Sequence, residues 1–515
     1  MRITQIDIKN FRGFYGSHSI KLDREGRNAV IYGENGSGKS SLFVALKHFF
    51  QASRQDIQFT PNCFTLDNEN AYIKITLLNH KNPNDQGTSY EWSVSCKSLQ
   101  EREDIHHECS VVQQDNKDQK ISAIAKLSGF LDYRDLLNTH LLHPYGEEVN
   151  IFDILINVLF ISIENEVTSH TFGEDWLAIQ ALLKKIKKRR DKSSLEELAE
   201  QVDKFYSGLA SKLPALQSKF NDIFGFFNYP ALQIKFKFPR FQYNHFQKDL
   251  EVPQIILKVS FFEKVISHQQ FLNEAKLSAI GLSIYLAALL LNPPINPKEL
   301  QILVLDDVLI GLDMSNRLSV VKILKEHFSS YQIFLLTHDR EWFEILNHYL
   351  KDGEKKDDEK NNKTEHSWKF LEFYAPKDVE FEIPIFEEKK EYLTKARYHY
   401  SNSDYKAAAV YLRSAFEEMI KKFCDEDNTL KVNYHRNSSE YNTADFWDVV
   451  KTASNKQNIL YVSEELARQV ESIRKILLNP LSHAQIKSVH SSEMRDALII
   501  LEKLKQALSR GRAVG

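Results

Sequence analysis

Residues Gly33-Glu34-Asn35-Gly36-Ser37-Gly38-Lys39-Ser40 spell G-x-x-x-x-G-K-[ST] and follow the apolar run Ala29-Val30-Ile31-Tyr32. The next stretch, Ser41-Leu42-Phe43-Val44-Ala45-Leu46, reads as a helix. A strand, a glycine-rich loop and a helix start give the setting in which this pattern is a phosphate site rather than a chance match. Glycines let backbone N–H groups curl round a triphosphate, and the open amides and dipole of the helix start favour its charge. Lys39 would reach the β- and γ-phosphates, and the Ser40 hydroxyl would bind Mg2+. The feature calls for an α/β fold that binds ATP or GTP, with the residues from Gly33 to Ser41 around the phosphates.

A second group lies about half the chain further on. Ile302-Leu303-Val304-Leu305-Asp306-Asp307 reads as a buried strand ending in two carboxylates. An acid at such a position holds Mg2+ through water in phosphate-loop enzymes. That role goes to Asp306, and the positioning or deprotonation of the attacking water to Asp307. A strand-end acid pair also serves as a turn or a helix cap, but a phosphate loop needs a metal partner. Ile333-Phe334-Leu335-Leu336 is another apolar strand, and it leads into Thr337-His338-Asp339. In this order His338 is placed to sense the γ-phosphate.

Charge is nearly balanced, with 67 basic and 70 acidic residues, so any nucleic-acid binding must come from local patches. The 4 cysteines, Cys63, Cys96, Cys109 and Cys424, show no C-x-x-C spacing. That argues against a disulfide framework or a zinc ribbon, and His106-His107-Glu108-Cys109 is read as polar loop. The N-terminus alternates like a strand and has no signal-peptide core. The apolar stretch from Leu282 to Leu291 falls short of the ~20 residues a membrane span needs. A soluble, cytoplasmic protein with no membrane partner is expected.

The separation of Lys39 from Asp306 implies an insertion. Residues 150–225 read as helical, with capping-box spacing at Ser194-Leu195-Glu196-Glu197. A hairpin of two such helices would reach only ~40 Å at 1.5 Å per residue. The expected division is 1–149 and 226–382 for two lobes of one nucleotide-binding head, 150–225 for an inserted arm and 383–515 for a helical domain. Lys351 to His366 is charge-dense without apolar period and is read as a flexible loop. Trp368 to Tyr374 is taken as the last strand of the head, with helix throughout from Phe386.

Together these motifs resemble the ABC-type ATPase heads of the SMC/RecF-like class. The opening Ile6-Asp7-Ile8-Lys9-Asn10-Phe11-Arg12-Gly13-Phe14 is similar to the first strand of such heads, which implies that Arg12 is a secondary nucleotide contact. Leu272-Asn273-Glu274-Ala275-Lys276 stands where the class has Leu-Ser-Gly-Gly-Gln, so the resemblance places Asn273, Glu274 and Lys276 against nucleotide held by a second head. Gly311-Leu312-Asp313 stands at the dimer-contact loop and Thr337-His338-Asp339 at the histidine switch. The resemblance implies ATP and Mg2+ as cofactors, an ATPase with Lys39, Asp307 and His338 as catalytic residues, and a homodimer or larger even assembly. Asp307 replaces the usual glutamate, so hydrolysis is expected to be slow. The short arm, Leu336-Thr337-His338-Asp339-Arg340-Glu341-Trp342-Phe343 and the helical tail resemble the PtuA-type ATPases of the Septu antiphage system, stand-alone or attached to retrons. That resemblance implies an HNH nuclease partner of the PtuB type and, in a retron, a reverse transcriptase with its RNA–DNA hybrid.

Other readings stay open. Arg413 and Glu417 are four apart on one helix face, and His483 follows a proline-ended helix. These three resemble the arrangement of HEPN-type ribonucleases, whose usual motif has arginine where Asn479 stands; an exposed ion pair and a capping histidine are the plainer account. A RecF-like repair ATPase is a third possibility. Its local support is Lys184-Lys185-Ile186-Lys187-Lys188-Arg189-Arg190, which could neutralise phosphates or form a solvated helix face. Ile234-Lys235-Phe236-Lys237-Phe238 interleaves aromatic and basic residues and is read as a half-buried strand.

Overall fold

The computed structural model describes residues 1–66, 68–79, 82, 84–101, 104–138, 149–188, 192–244, 249–266, 272–292, 299–358, 368–374, 384–388, 391–402, 404–426, 430, 432, 442–454, 458–478 and 491–510. They fall into two compact units, Met1–Glu388 and Lys389–Gly515.

The first unit opens with β1 (Arg2–Phe11), β2 (Phe14–Lys21) and β3 (Asn28–Gly33), then α1 (Lys39–Gln51). β4 (Asn70–Leu78), β5 (Thr88–Glu101), β6 (Asp104–Gln114), α2 (Gln119–Leu127), β7 (Gly129–Asp132) and α3 (Tyr133–Asn138) follow. Next come β8 (Val149–Asn150), the helical turn α4 (Phe152–Ile154), and the hairpin β9 (Glu164–Asn165) and β10 (His170–Thr171). Two long helices, α5 (Phe172–Lys188) and α6 (Lys192–Phe224), precede β11 (Leu232–Lys237), β12 (Tyr243–Asn244), β13 (Asp249–Leu250), β14 (Ile256–Phe261) and β15 (Lys264–Val265). The unit closes with α7 (Glu274–Leu289), β16 (Gln301–Asp306), α8 (Met314–His327), β17 (Tyr331–Thr337), α9 (Arg340–Asp358), β18 (Trp368–Tyr374) and β19 (Ile385–Glu388).

Two sheets carry this unit. One is an antiparallel meander in the order β2-β1-β4-β5-β6. The other runs β19-β18-β3-β17-β16-β7, parallel throughout except at β19. Parallel strands covered on both faces read as continuous apolar runs, and every residue of β16 and β17 is buried. Their side chains alternate between two cores. Ala29, Ile31, Ile302, Val304, Phe334 and Leu336 join α1 and the meander. Val30, Leu303, Leu305, Ile333 and Leu335 face the inserted helices and α7. The result is a three-layer α/β head.

A buried polar seam docks the meander onto the parallel sheet. The Gln332 side chain accepts from the Ile3 N–H at 2.7 Å and donates to the Ile3 and Gly26 carbonyls at 2.8 and 3.1 Å. Arg2 donates to the Tyr331 carbonyl at 3.0 Å. A buried amide paired at both ends, as Gln332 is, fixes one relative placement of the layers.

Within 150–225, α6 buries Leu198, Val202, Phe205, Leu209, Leu213, Leu216 and Phe220 along its 33 residues. These side chains share a core with α5 and α7. At Gly208 the helix passes so close to β9 that an added Cβ would lie 1.9 Å from Asn165 Oδ1. In β11, Leu232 and Ile234 are buried and Lys235 and Lys237 exposed, so the aromatic–basic alternation is a strand lying on a core.

Three expectations are corrected. His106 to Cys109 belong to β6, paired with β5 over its length, rather than to a loop. A backbone ladder does not require apolar alternation, so a polar hairpin escapes a pattern search. Lys351–Asp358 continue α9, whose earlier turns are anchored by buried Trp342, Phe343, Leu346 and Leu350. Helix elongation past the last packed turn costs little; residues 359–366 lie outside the described residues. Phe386 sits in β19, paired with β18, so helix begins later.

The second unit contains α10 (Tyr392–Ser401), α11 (Tyr405–Glu426), α12 (Thr443–Val450), α13 (Glu464–Ile473) and α14 (Ser491–Arg510). Trp447, Phe416, Leu412, Met494 and Leu501 centre its core. Among the described residues no helix of either unit is long and apolar enough to cross a membrane.

Asn165 is fully buried and donates to Asp175 at 2.7 Å. Gly208→Ala should therefore displace that pair and lower stability by about 1–3 kcal/mol. Chemical denaturation measures it, and a variant as stable as wild type would show that α6 and β9 are not in contact.

Candidate functional site

The parallel strands all point their carboxyl ends at one edge of the sheet, where open α/β sheets bind ligands. Register brings these ends together: Tyr32 pairs with Thr337, Leu336 with Asp306, and Asp306 with Asp132. Residues carried by four separate stretches of sequence thus lie within a few strand spacings of ~4.8 Å.

Between β3 and α1 the chain turns through Gly36 and Gly38 at φ +87 and +95. At Gly38 conformation and space both exclude a side chain. A Cβ there would lie 2.6 Å from Pro384 Cγ and near the Phe14 ring. Gly33 is equally confined, by Ser37 Oγ and by Phe373. Lys39, almost fully buried, donates to the carbonyls of Gly33 at 2.6 Å and Glu34 at 3.1 Å. Burial pulls its ammonium below the ordinary lysine range, against the upward pull of Asp307 and Asp306. Glu34, Asn35 and Gly36 form the exposed crest of the loop.

Asp306 is 5 % exposed. Burial lifts its carboxyl to about 6; a hydrogen bond from Ser40 opposes that rise and the neighbouring Asp307 adds to it. Its Oδ1 is buried without a hydrogen-bond partner, as is Ser37 Oγ. A bare buried carboxylate oxygen is costly unless a cation or donor takes it. The Ser40 hydroxyl beside it supplies a second hard oxygen, and the pair fits Mg2+, which binds few protein oxygens and keeps water and phosphate as its other ligands. Among the described residues no group of three or more His, Cys, Asp or Glu could hold a metal ion.

Asp307 takes a left-handed conformation at φ +54. Aspartate tolerates this better than most residues, and such strain gathers at functional sites. Its N–H is held by the Leu336 carbonyl at 3.0 Å. Its Oδ1 accepts the His338 N–H at 2.9 Å and lies 3.0 Å from His338 Nδ1. The strand-end acid and the histidine are therefore in direct contact.

Arg12 lies at the exposed β1–β2 turn, also left-handed at φ +49. The next residue, Gly13, donates its N–H to Ser41 Oγ at 3.2 Å, fastening this turn to the first turn of α1. Asn62 holds the Arg12 carbonyl, and Phe64 stands half exposed beside Tyr15.

A second group gathers on α7. Asn273 caps the helix by accepting the Lys276 N–H at 3.1 Å. Glu274 accepts from Tyr133 Oη at 3.2 Å. The Lys276 ammonium lies 5.9 and 6.0 Å from the Tyr229 and Phe261 ring centres. Gly311 packs onto this start, where a Cβ would be 2.4 Å from Ser278 Oγ. The structure thus joins the Asn273 motif to the Gly311-Leu312-Asp313 loop.

Sequence reasoning missed Asp132, which adds its charge to the environment of Asp306. The available signal was Gly129-Phe130-Leu131-Asp132, a short apolar run ending in an acid as β16 does.

In the second unit Glu417 accepts from Arg413 at 3.0 Å and from Thr443 at 2.8 Å. Burial pushes its carboxyl up, but the hydrogen bonds from Thr443 and Arg413 outweigh it and leave the group below the usual range. His483 lies outside the described residues. Lys184 and Lys185 are exposed on α5, and Lys187 pairs with Asp249 at 2.6 Å; Arg189 and Arg190 lie outside the described residues.

Residues 2–359 match the model of the RecF/RecN/SMC N-terminal domain. No curated protein matches the chain. Among solved structures, an Smc head bound to the C-terminal winged-helix domain of ScpA shares 12 % identity at a TM-score of 0.42, covering 76 % of this chain and 100 % of its own. An Smc head with an extended coiled coil, bound to the C-terminal domain of ScpA derived from Pyrococcus furiosus, shares 13 % at 0.42, covering 78 % and 99 %. The SMC head from Thermotoga maritima shares 12 % at 0.34, covering 76 % and 100 %.

The raised Asp306 carboxyl has a consequence for stability. The folded chain holds this proton more tightly than the unfolded chain, so the contribution of Asp306 to the stability of metal-free protein is greatest below about pH 4. It declines as pH rises toward about 6 and is level above that. Asp306→Asn should stabilise metal-free protein at pH 7.5 by ~1–3 kcal/mol, with the gain vanishing near pH 4. Denaturant melts at both pH values decide it; no gain at pH 7.5, or an equal gain at both, contradicts the burial argument.

Proposed function

Since the chain belongs to the RecF/RecN/SMC N-terminal domain family, we propose that it is an ATPase whose paired heads close on ATP and thereby control an associated nuclease. The observation that carries this reading is the buried Lys39 and Asp306 at one sheet edge, with the Ser40 hydroxyl bonded to Asp306 and with Asp307 and His338 in contact beside them.

Bound Mg2+ would neutralise phosphate charge and orient the terminal phosphate for in-line attack. The protein would do the rest. Lys39 would exchange its bonds to the Gly33 and Glu34 carbonyls for phosphate oxygens, and the loop amides from Gly36 to Ser40 would cradle them. Arg12, at the turn fastened to Ser41, would flank the nucleotide. Asp306 and Ser40 would hold the metal. Asp307, one methylene shorter than glutamate, would orient water from a strained backbone, with His338 as its partner near the γ-phosphate. Asn273, Glu274 and Lys276 would face the nucleotide of a second copy, so that ATP joins two heads.

The regulated partner is read as an HNH-type nuclease in an antiphage complex of the Septu kind, within a retron also a reverse transcriptase with its RNA–DNA hybrid. Support comes from the sequence resemblance and from a compact helical unit beyond the head that could dock a partner. A self-contained ribonuclease is the weaker account. Glu417 is held ionised by two donors, which suits an orienting ion pair better than proton transfer.

Lys39→Ala should abolish binding of a fluorescent ATP analogue by the full chain, and unchanged affinity would refute the site. Asp307→Asn should keep binding, lower hydrolysis by about a hundredfold and shift the protein toward dimer when ATP is present. Analytical ultracentrifugation with and without ATP reads this, and a variant that stays monomeric in both would overturn pairing.

A further inference from the structure

Arg317 stands on α8, four residues after the helix-capping Asp313, and its side chain is 12 % exposed. Its Nε donates to the Leu312 carbonyl at 2.9 Å and its Nη2 reaches the Ile310 carbonyl at 3.5 Å. These two carbonyls flank Gly311, the residue seated on the start of α7. The other arm of the guanidinium, Nη1, bonds Asp339 Oδ2 at 2.5 Å. The group also lies 6.0 Å from the Trp342 ring centre. One planar cation therefore spans two loops that leave different strands, using its fork of donors in a way a lysine cannot reproduce.

Asp339 is committed at both oxygens. Oδ2 takes Arg317, and Oδ1 accepts the Trp342 N–H at 3.0 Å at the start of α9. The residue before it is His338, whose N–H holds Asp307. A continuous line of contacts thus runs from Gly311 through Arg317, Asp339 and His338 to Asp307. Charge-assisted bonds of this kind are short, directional and strong, and the Arg317 end of this one is largely shielded from solvent.

We propose that Arg317 is a positioning residue that makes catalysis depend on head pairing. It locks the Gly311–Asp313 loop to the loop bearing His338, so that a second copy pressing on the first loop aligns Asp307 and His338. This rests on the ATPase reading above, and it assigns to a residue outside the phosphate site the task of reporting that the partner has arrived. Arg317 touches neither the phosphate loop nor the metal-binding oxygens, so nucleotide affinity should not depend on it.

The test compares wild type, Arg317→Gln, Arg317→Lys, Asp339→Asn and the double variant Arg317→Gln/Asp339→Asn as full chains. Three quantities are read: affinity for a fluorescent ATP analogue, ATP-driven dimerisation, and kcat as protein concentration rises. Arg317→Gln should bind ATP within about twofold of wild type and still dimerise, with kcat lowered by roughly tenfold or more. Arg317→Lys should recover part of the rate. The double variant should be no slower than Arg317→Gln, since both changes cut one link. A wild-type rate in Arg317→Gln, or rate losses that multiply in the double variant, overturns the inference while leaving the ATPase reading intact. Loss of ATP affinity in step with kcat overturns it too, by showing a merely structural part. If Arg317→Gln does not fold, Asp339→Asn tests the same link from its other end: normal binding with slow turnover supports it and a normal rate refutes it. Wild type that neither hydrolyses ATP nor dimerises with it removes the ATPase reading itself, and this inference falls with it.

Discussion

A carboxylate at a strand end and an ammonium at a helix start, both withdrawn from water at one edge of the sheet, are the constraint around which the head is organised. Burial alone disfavours the charged form of each, pushing Lys39 down and Asp306 up. Their mutual attraction only partly offsets this, so the ligand-free site is held in a costly state. A phosphate for the lysine and a divalent cation for the acid would relieve both at once. The parallel sheet makes this possible, because only a sheet covered on both faces can hold such groups at its rim without opening them to solvent.

That covering comes from two sources with different logic. On one face α1 and the meander bury Phe43, Phe49, Phe50 and the isoleucines of β1, and Gln332 and Arg2 fix how the layers meet. On the other face α5, α6 and α7 lay a broad apolar surface against Leu303, Leu305 and Leu335. The insertion between the two halves of the site is therefore also the lid of the second core. Interrupting the nucleotide-binding fold by so many residues costs little, since loop closure grows only slowly with length.

Much of this was legible in the sequence, for identifiable reasons. Gly33 to Ser40, the run ending at Asp306 and the run ending at Thr337 each join a strong local pattern to a chemical need. Asp132 stayed hidden because its strand is only four residues long, and Arg317 because nothing in its own neighbourhood announces a partner on another loop. Polar β6 and the charged end of α9 were misread because each is held by backbone pairing or by helix continuity, which leave no mark on hydrophobic period. The role of the helical tail turned on His483, beyond the described residues, and on an Arg413–Glu417 pair whose spacing serves structure and catalysis equally well.

Pro384 lies against Gly38 at the start of α1, and the second unit begins only a few residues later, at Lys389. The phosphate loop is thus mechanically adjacent, along the covalent chain, to the strand that hands over to the helical tail. A side chain at position 38 would push on Pro384, and so on the segment that leads from the head into the tail.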